Sequence, residues 1–426
     1  MTDKHISVPP YVVDVLSQLT RMGYAAYVVG GCVRDSLLGR EPADWDVCTA
    51  ATPDEMLAVF RRFRVLKTGL KHGTLTVRSR GHSVEVTTFR TDGVYSDNRH
   101  PDAVTFVSEV EDDLSRRDFT INAMAYHPDH GIVDAFGGQQ DLADHMLRCV
   151  GEPDMRFQED GLRILRALRF AARFQFAVER ETAYAVHRNR HLLENISAER
   201  IYKELQGILV SPGVGDMLTA FPQVFATIMP ELMPLIGCVR GEEDLWMHIT
   251  QAVCAAPADF ALRLVMLMHE THADPAAAAE QAAAALSRLK SDGATALAVT
   301  TLLREFDLSF PTTRAGMRRL IGRLGQQRVQ QLFTLRQAHL RVAPNAAASS
   351  ALRAAMLLAD ETLAEQPPAF TTADLTITGR DLISLGLKPG PAFGKLLAAL
   401  LSEVQDETLP NTREALICRA RRLCAE

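Results

Sequence analysis

Two carboxylates two residues apart, Asp44 and Asp46, flank Trp45 near the start of the chain. In an extended strand both side chains point to one face. Side by side they repel unless a cation sits between them. Mg2+ takes hard oxygen ligands and keeps substrate phosphates in its shell. Two such ions can activate a hydroxyl and stabilise a leaving pyrophosphate. A solvated strand end is the plain alternative for Asp-x-Asp. The run Gly30-Gly31-Cys32-Val33-Arg34-Asp35 lies just upstream. Two glycines between a strand and a helix let backbone N–H groups approach a phosphate closely. A tight turn uses the same pair, but the Arg34 guanidinium fork suits a triphosphate. Glu85 opens the segment Glu85-Val86-Thr87-Thr88-Phe89. It reads either as a third carboxylate near the metals or as an exposed strand residue.

Two basic constellations follow. Arg116-Arg117-Asp118-Phe119-Thr120-Ile121-Asn122-Ala123 sets consecutive arginines before an apolar segment. Phosphate contact and Arg–Asp pairing inside the fold both account for it. Glu159-Asp160-Gly161-Leu162-Arg163 is expected on one helix continuing through Arg166 and Arg169. Asp160 and Arg163, three apart, would then be neighbours on one face. Together they offer an acceptor and a fork of donors. Cytosine and adenine show an amino donor beside a ring-nitrogen acceptor, whereas uracil and guanine show the reverse. A fixed Asp/Arg pair therefore matches C and A. Mismatches leave buried polar groups unpaired, giving discrimination on the order of 10²–10⁴. Arg166 and Arg169 lie one and two turns on, placed for a triphosphate, and Glu159 is placed to orient Arg163. An ordinary helix salt-bridge network has the same spacing.

The elements that must position these residues are α/β up to about residue 145. An amphipathic segment after Pro9-Pro10 carries Val12, Val13, Leu16 and Leu19 at helical spacing. Ala26-Tyr27-Val28-Val29 reads as a strand ending in the glycine turn. Thr52-Pro53-Asp54-Glu55 is a capping box that starts a helix. Thr74–Val77 and Val84–Phe89 alternate as neighbouring strands. From about residue 155 the pattern is helical, with Leu162, Leu165, Ala167, Leu168 and Phe170 in register. The alanine-rich stretch 276–285 reads as a small-residue helix face. Residues 344–350 and 365–372 read as loops.

The length of 426 residues suggests two to four domains. Hydrophobic residues at 47% suffice for several cores. The net charge of −6 and pI of about 6.1 mean that an RNA partner must bind local basic patches. Seven arginines between Arg314 and Arg341, with no Asp or Glu from 311 to 350, form such a patch. A surface packed on acidic helices of the same chain is the alternative. Seven cysteines without a Cys-x-x-Cys spacing read as reduced thiols, and no apolar run approaches a membrane span. The chain is expected in the cytoplasm, away from membranes, and no protein partner is indicated.

At this point the sequence resembles the bacterial class II CCA-adding enzymes, tRNA nucleotidyltransferases of the polymerase β superfamily and relatives of bacterial poly(A) polymerase. The resemblance rests on Gly30–Gly39 with Asp44-Trp45-Asp46, then Thr68–Thr74, Glu85–Arg90, Arg116–Ala123, Asp134–Gly138 and Glu159–Phe170, followed by Ser197-Ala198-Glu199-Arg200. It implies an α/β nucleotidyltransferase head domain with a mixed sheet (1–145), followed by all-α neck, body and tail domains. These are the base-recognising neck (146–210), the body (211–310) and a tRNA-binding tail (311–426). It implies Mg2+ on Asp44 and Asp46, while Glu85 stays a third catalytic candidate on its residue pattern alone. It also implies nucleotide contacts from Gly30, Gly31, Arg34, Arg117, Asp160, Arg163, Arg166 and Arg169. The expected reaction adds C, C and A to the tRNA 3′ end from CTP and ATP. Residues 90–101 are similar to the family's flexible loop, Asp134–Gly138 to its hinge, and Ile377–Gly390 to a tail module. Poly(A) addition and A-only addition are the rival activities. The loop, the tail and the modest pI weigh against the polymerase.

Residues 245–290 resemble the HD phosphohydrolase module attached to some members. His248 stands for its first metal histidine, but His269-Glu270-Thr271-His272 replaces the His-Asp pair and its Gly-Lys is absent. This points to lost hydrolase chemistry. A weak metal site on His248, His269 and Glu270 is the alternative.

Overall fold

The apolar runs of the first 145 residues pair into one seven-stranded sheet: β1 (Ala26–Val29), β2 (Asp46–Thr49), β3 (Arg64–Leu66), β4 (Thr74–Ser79), β5 (His82–Thr88), β6 (Ala125–His127) and β7 (Gly131–Val133). This computed structural model describes residues 5–70, 73–93, 104–364, 369–384, 386 and 390–425. Lys71, His72, most of the 90–101 segment and Lys388-Pro389 therefore lie outside the described residues. The strand order is β3-β4-β5-β2-β1-β6-β7. β2 and β5 run parallel and the other neighbours antiparallel, so the sheet is mixed as expected.

Alternation builds the sheet. Leu75, Val77, Val84 and Val86 are buried while the residues between them are less so. The helix Pro10–Arg21, with proline at its first position, buries Val12, Val15, Leu16 and Leu19. Thr52 and Glu55 form the expected capping box on the helix Pro53–Val59. Val29, Cys48, Phe89, Leu114 and Ala125 share one core cluster. Burial raises the Cys32 and Cys149 thiols to about 12, which leaves them inert.

The helix expected from Glu159 through Arg169 is two helices, Pro153–Glu159 and Leu162–Phe174. Asp160 between them is extended, at φ −143° and ψ 103°. A Cβ on Gly161 would lie 3.1 Å from both Cβ and O of Leu192, so a side chain there would make Leu192 give by a few tenths of an ångström. The Asp160 carboxylate accepts the Leu162 N–H at 3.0 Å and caps the second helix. Asp160 and Arg163 are thus not neighbours on one helical face. The spacing argument could not see the break, because helical periodicity resumes at once on its far side.

Contacts within the chain divide it into Met1–Ile236 and Gly237–Glu426. The second unit is mostly helical. The alanine-rich stretch lies in the helix Pro275–Arg288, with Ala278, Ala279, Ala282 and Ala285 buried. Residues 346–350 are helical rather than loop, since Asn345 caps the helix Ala346–Leu363 by accepting the Ala348 N–H. The arginine-rich segment largely meets acids of its own unit. Arg314 pairs with Glu361, Arg318 with Glu407, Arg319 with Asp406, Arg323 with Glu305 and Arg336 with Asp307. Arg318 is buried and also donates to the Gln405 carbonyl at 2.7 Å. Among the described residues no helix is long and apolar enough to cross a membrane.

The hinge-like motif is a local cap. Asp134 accepts the N–H groups of Gly138 and Gln139 at 2.7 and 2.9 Å. A Cβ on Gly138 would meet the Thr120 carbonyl at 2.3 Å and Met124 Cγ at 2.9 Å. Gly138→Ala is therefore expected to cost about 1–3 kcal/mol in denaturant unfolding. Gly293→Ala, where nothing lies within 4 Å, should be near neutral. Equal effects would contradict the packing argument.

Candidate active site

The register brings the acidic candidates together. Asp46, the first residue of β2, is directly opposite Glu85 on parallel β5 and opposite Val29 on antiparallel β1. The glycine turn follows Val29 immediately, so it ends beside Asp46. Asp44 precedes Asp46 by two residues and, like it and Glu85, is exposed. Crowding by Asp44 and Glu85 together with desolvation lifts Asp46 to about 6, while Arg117 opposes the shift. Desolvation is the largest cause. The carboxyl keeps solvent access at one side but has protein around most of it. Among the described residues the three carboxylates do not gather into one three-donor ligand set. A pair of carboxylates completed by phosphate oxygens is the arrangement Mg2+ ordinarily takes.

Gly30 has φ 80° and ψ −124°, a backbone that side-chain-bearing residues avoid, and a Cβ there would lie 3.0 Å from Arg117 Nη1. Arg117 bonds Asp113 at 3.2 Å, and its buried Nε has no partner. Arg34 is 5% exposed. Its Nε donates to Asp35 at 2.8 Å and its Nη1 to Asn122 at 2.5 Å, with Phe170 and Phe174 rings about it. Arg34 thus forms part of the wall, with its donors engaged by protein.

The helical candidates are separately partnered. Asp160 binds Arg200 at 2.7 Å. Arg163 donates from Nη1 to Glu159 at 2.5 Å and from Nη2 to the Arg116 carbonyl at 3.2 Å. Glu159 thus orients Arg163 at i,i+4 across the helix break. Arg166 clasps Asp118 at 2.7 and 3.0 Å. Arg169 donates to Glu204 at 2.5 Å and lies 4.3 Å from the Phe170 ring centre. A Cβ on Gly207 would lie 2.5 Å from Arg169 Cδ, so glycine leaves room for that stem.

Asp118 joins the two groups. It accepts from Arg166 and from the Asn122 amide, whose oxygen takes Arg34. Although burial opposes its charge, Arg166, Asn122 and Arg163 hold it down to about 2. Asp113, fully buried, fixes Arg116 and Arg117. Asp113, Asn122, Arg200 and Glu204 escaped the list of candidates. The Arg-Arg-Asp run signalled Asp118, but Arg200 and Glu204 lie on a separate helix, Ala198–Leu209, and only folding brings them in.

Comparison with known proteins places the chain in a family. The family model for the Poly A polymerase head domain matches residues 26–148. That for the RNA- and SrmB-binding site of polymerase A matches 175–233, and that for tRNA nucleotidyltransferase domain 2 matches 267–420. The CCA-adding enzyme of Levilactobacillus brevis is 34% identical over 415 residues, covering 95% of both chains. The chain belongs to the CCA-adding enzyme family. Another relative, the CCA-adding enzyme of Lactobacillus helveticus, is 35% identical over 94% of both chains. The solved Bacillus stearothermophilus CCA-adding enzyme in complex with CTP matches with a TM-score of 0.73 at 28% identity, over 98% of each chain. The chain is thus a tRNA nucleotidyltransferase with the family's mixed-sheet head and helical remainder.

The Asp46 shift yields a signed expectation. A carboxyl raised to about 6 favours the protonated fold below its unfolded value of roughly 4. That contribution is lost as pH rises through about 6. Metal-free Asp46→Asn should therefore melt higher than wild type at pH 7.5, with the gap closing toward pH 4. A gap independent of pH would contradict this origin. Divalent-ion affinity should fall about tenfold per unit below pH 6 in titration calorimetry.

Proposed function

We propose that this chain builds or repairs the 3′-terminal CCA of tRNA in the cytoplasm, taking C, C and A from CTP and ATP without a nucleic-acid template. One observation carries the reading. Asp46 and Glu85 are paired in register beside the Gly30 turn, in a chain whose solved relative binds CTP.

Asp44 and Asp46 would hold Mg2+. Their fit rests on Asp46 standing in register with Glu85 and two residues from Asp44, because such a site favours a cation over bare charges. When bound, the ions would supply charge neutralisation at the α-phosphate and a more acidic 3′-hydroxyl. Glu85 adds negative charge opposite Asp46. Gly30 and Gly31 keep the strand end clear of side chains, so a triphosphate can approach the backbone. Arg117, beside Gly30 and with a partnerless Nε, offers a guanidinium for it. Arg34 braces the turn through Asn122.

The base would be read by Asp160 and Arg163. Arg200 and Glu159 support this by fixing the two head groups before a base arrives. The pairing edge then comes from two chain segments meeting at a cap rather than from one helix face. Arg166 and Arg169 would hold phosphates by exchanging Asp118 and Glu204 for the ligand. Residues 1–145 would act as head, 146–210 as neck, 211–310 as body and 311–426 as tRNA-holding tail.

Incubation with tRNA ending at the discriminator base tests the reading. CTP should give two additions, and CTP with ATP two C, one A and a stop. A ladder of A from ATP would favour the poly(A) reading suggested by the head-domain match. A-addition only to tRNA already ending in CC would favour the split activity. Asp46→Asn should lower addition on the order of 10³-fold. Asp160→Ala or Arg163→Ala should relax choice among the four nucleotides more than tRNA affinity. Unchanged selectivity would remove the base-reading role.

A further inference from the structure

We propose that the Gly237–Glu426 unit carries a structural site for a divalent transition metal of the Zn2+ kind, on His248, His269, Glu270 and His339. It does not rest on the nucleotidyl-transfer reading.

One donor atom from each of these four residues lies within 4.8 Å of the others. Nε2 of His248 and of His269 stand 3.9 and 3.8 Å from the same Glu270 oxygen. Tetrahedral Zn2+ with bonds of about 2.0–2.1 Å sets its ligand atoms about 3.3 Å apart, so small side-chain movements close the shell. Both Nε2 atoms are buried with no hydrogen-bond partner, and the two imidazole side chains are 2% and 3% exposed. A buried polar atom left unpaired carries a cost that a bound ligand removes.

The surroundings prepare the donors. His248 Nδ1 faces Glu243 at 2.8 Å and His269 Nδ1 faces the Met266 carbonyl at 2.8 Å. Each contact places the ring proton on Nδ1 and turns the Nε2 lone pair inward, the outer support that metal-binding histidines use. Arg240 grips both Glu270 oxygens at 2.9 Å but is 56% exposed. It stands on the solvent side and leaves each oxygen a second lone pair. The Phe306 ring packs against His269 and His339, at 5.0 and 5.6 Å between centres, and walls the cluster.

Three imidazoles and one carboxylate select Zn2+ over Mg2+ or Ca2+. Four protein donors fill a tetrahedral shell and leave no position for water, so the site suits fastening rather than hydrolysis. It would tie the helices Leu245–Ala255 and Gln326–Val342 to the C-terminal end of Phe260–Met268. His339 comes from outside the HD-like stretch, beyond what the sequence pattern indicated.

The test uses the full-length protein, stripped with EDTA, loaded with Zn2+ and gel-filtered. Elemental analysis should find one Zn2+ per chain, Zn2+ should raise Tm, and Co2+ in its place should give the visible absorption of a tetrahedral site. The same retention in Asp44→Asn/Asp46→Asn would place the ion away from the head. His269→Gln and His339→Gln, checked for folding by circular dichroism, should each weaken retention by at least about tenfold. His187→Gln should leave it unchanged. No Zn2+ retained by wild type, or equal retention by folded His339→Gln, would overturn the proposal. Should either cluster variant fail to fold, the presence or absence of the Zn2+-dependent Tm rise in wild type decides.

Discussion

The constraint on which the head depends is the placing of like charges at one end of a sheet. Parallel pairing of β2 with β5 sets Asp46 against Glu85, and the antiparallel partner β1 ends there in glycine. A sheet fixes such neighbours rigidly, because shifting one strand by a residue would turn its apolar side chains outward. The acids therefore cannot spread to relieve their repulsion, which adds to burial in raising Asp46 to about 6. Stability is given up where these acids meet, a common arrangement at functional sites.

Around this strained point the chain is well braced. Asp113, Asp118 and Asn122 hold Arg116, Arg117, Arg166 and Arg34 in a linked network. Low-dielectric surroundings strengthen such bonds and make partial loss costly. The network connects the strand ends to the Leu162–Phe174 helix, so the acidic cluster and the arginine-bearing helix are positioned by shared side chains.

Much of this was legible from residues. The strands, the Thr52 cap, the alanine-rich helix and the mixed head sheet followed from period and cap chemistry. Asp-x-Asp and Gly-Gly pointed to the strand ends that meet beside Glu85, since both signals are local. The break at Asp160–Gly161 was not legible, because it depends on the close passage of Leu192. Nor were the partners Arg200 and Glu204, nor His339 beside His269, since these meet only through tertiary packing. The arginines of 314–341 hid their partners for a related reason. Their own segment lacks acids, but Glu305, Glu361, Asp406 and Glu407 reach them from flanking segments.

The pairing of three arginines on the helix Leu162–Phe174 has a further consequence. Arg163, Arg166 and Arg169 each rest on a carboxylate of their own chain. A stray anion such as inorganic phosphate thus finds these three guanidiniums already held. Only a ligand long enough to engage several of these groups together can dislodge their internal companions. Screening against small anions would then come from the protein's own acids rather than from the shape of an opening.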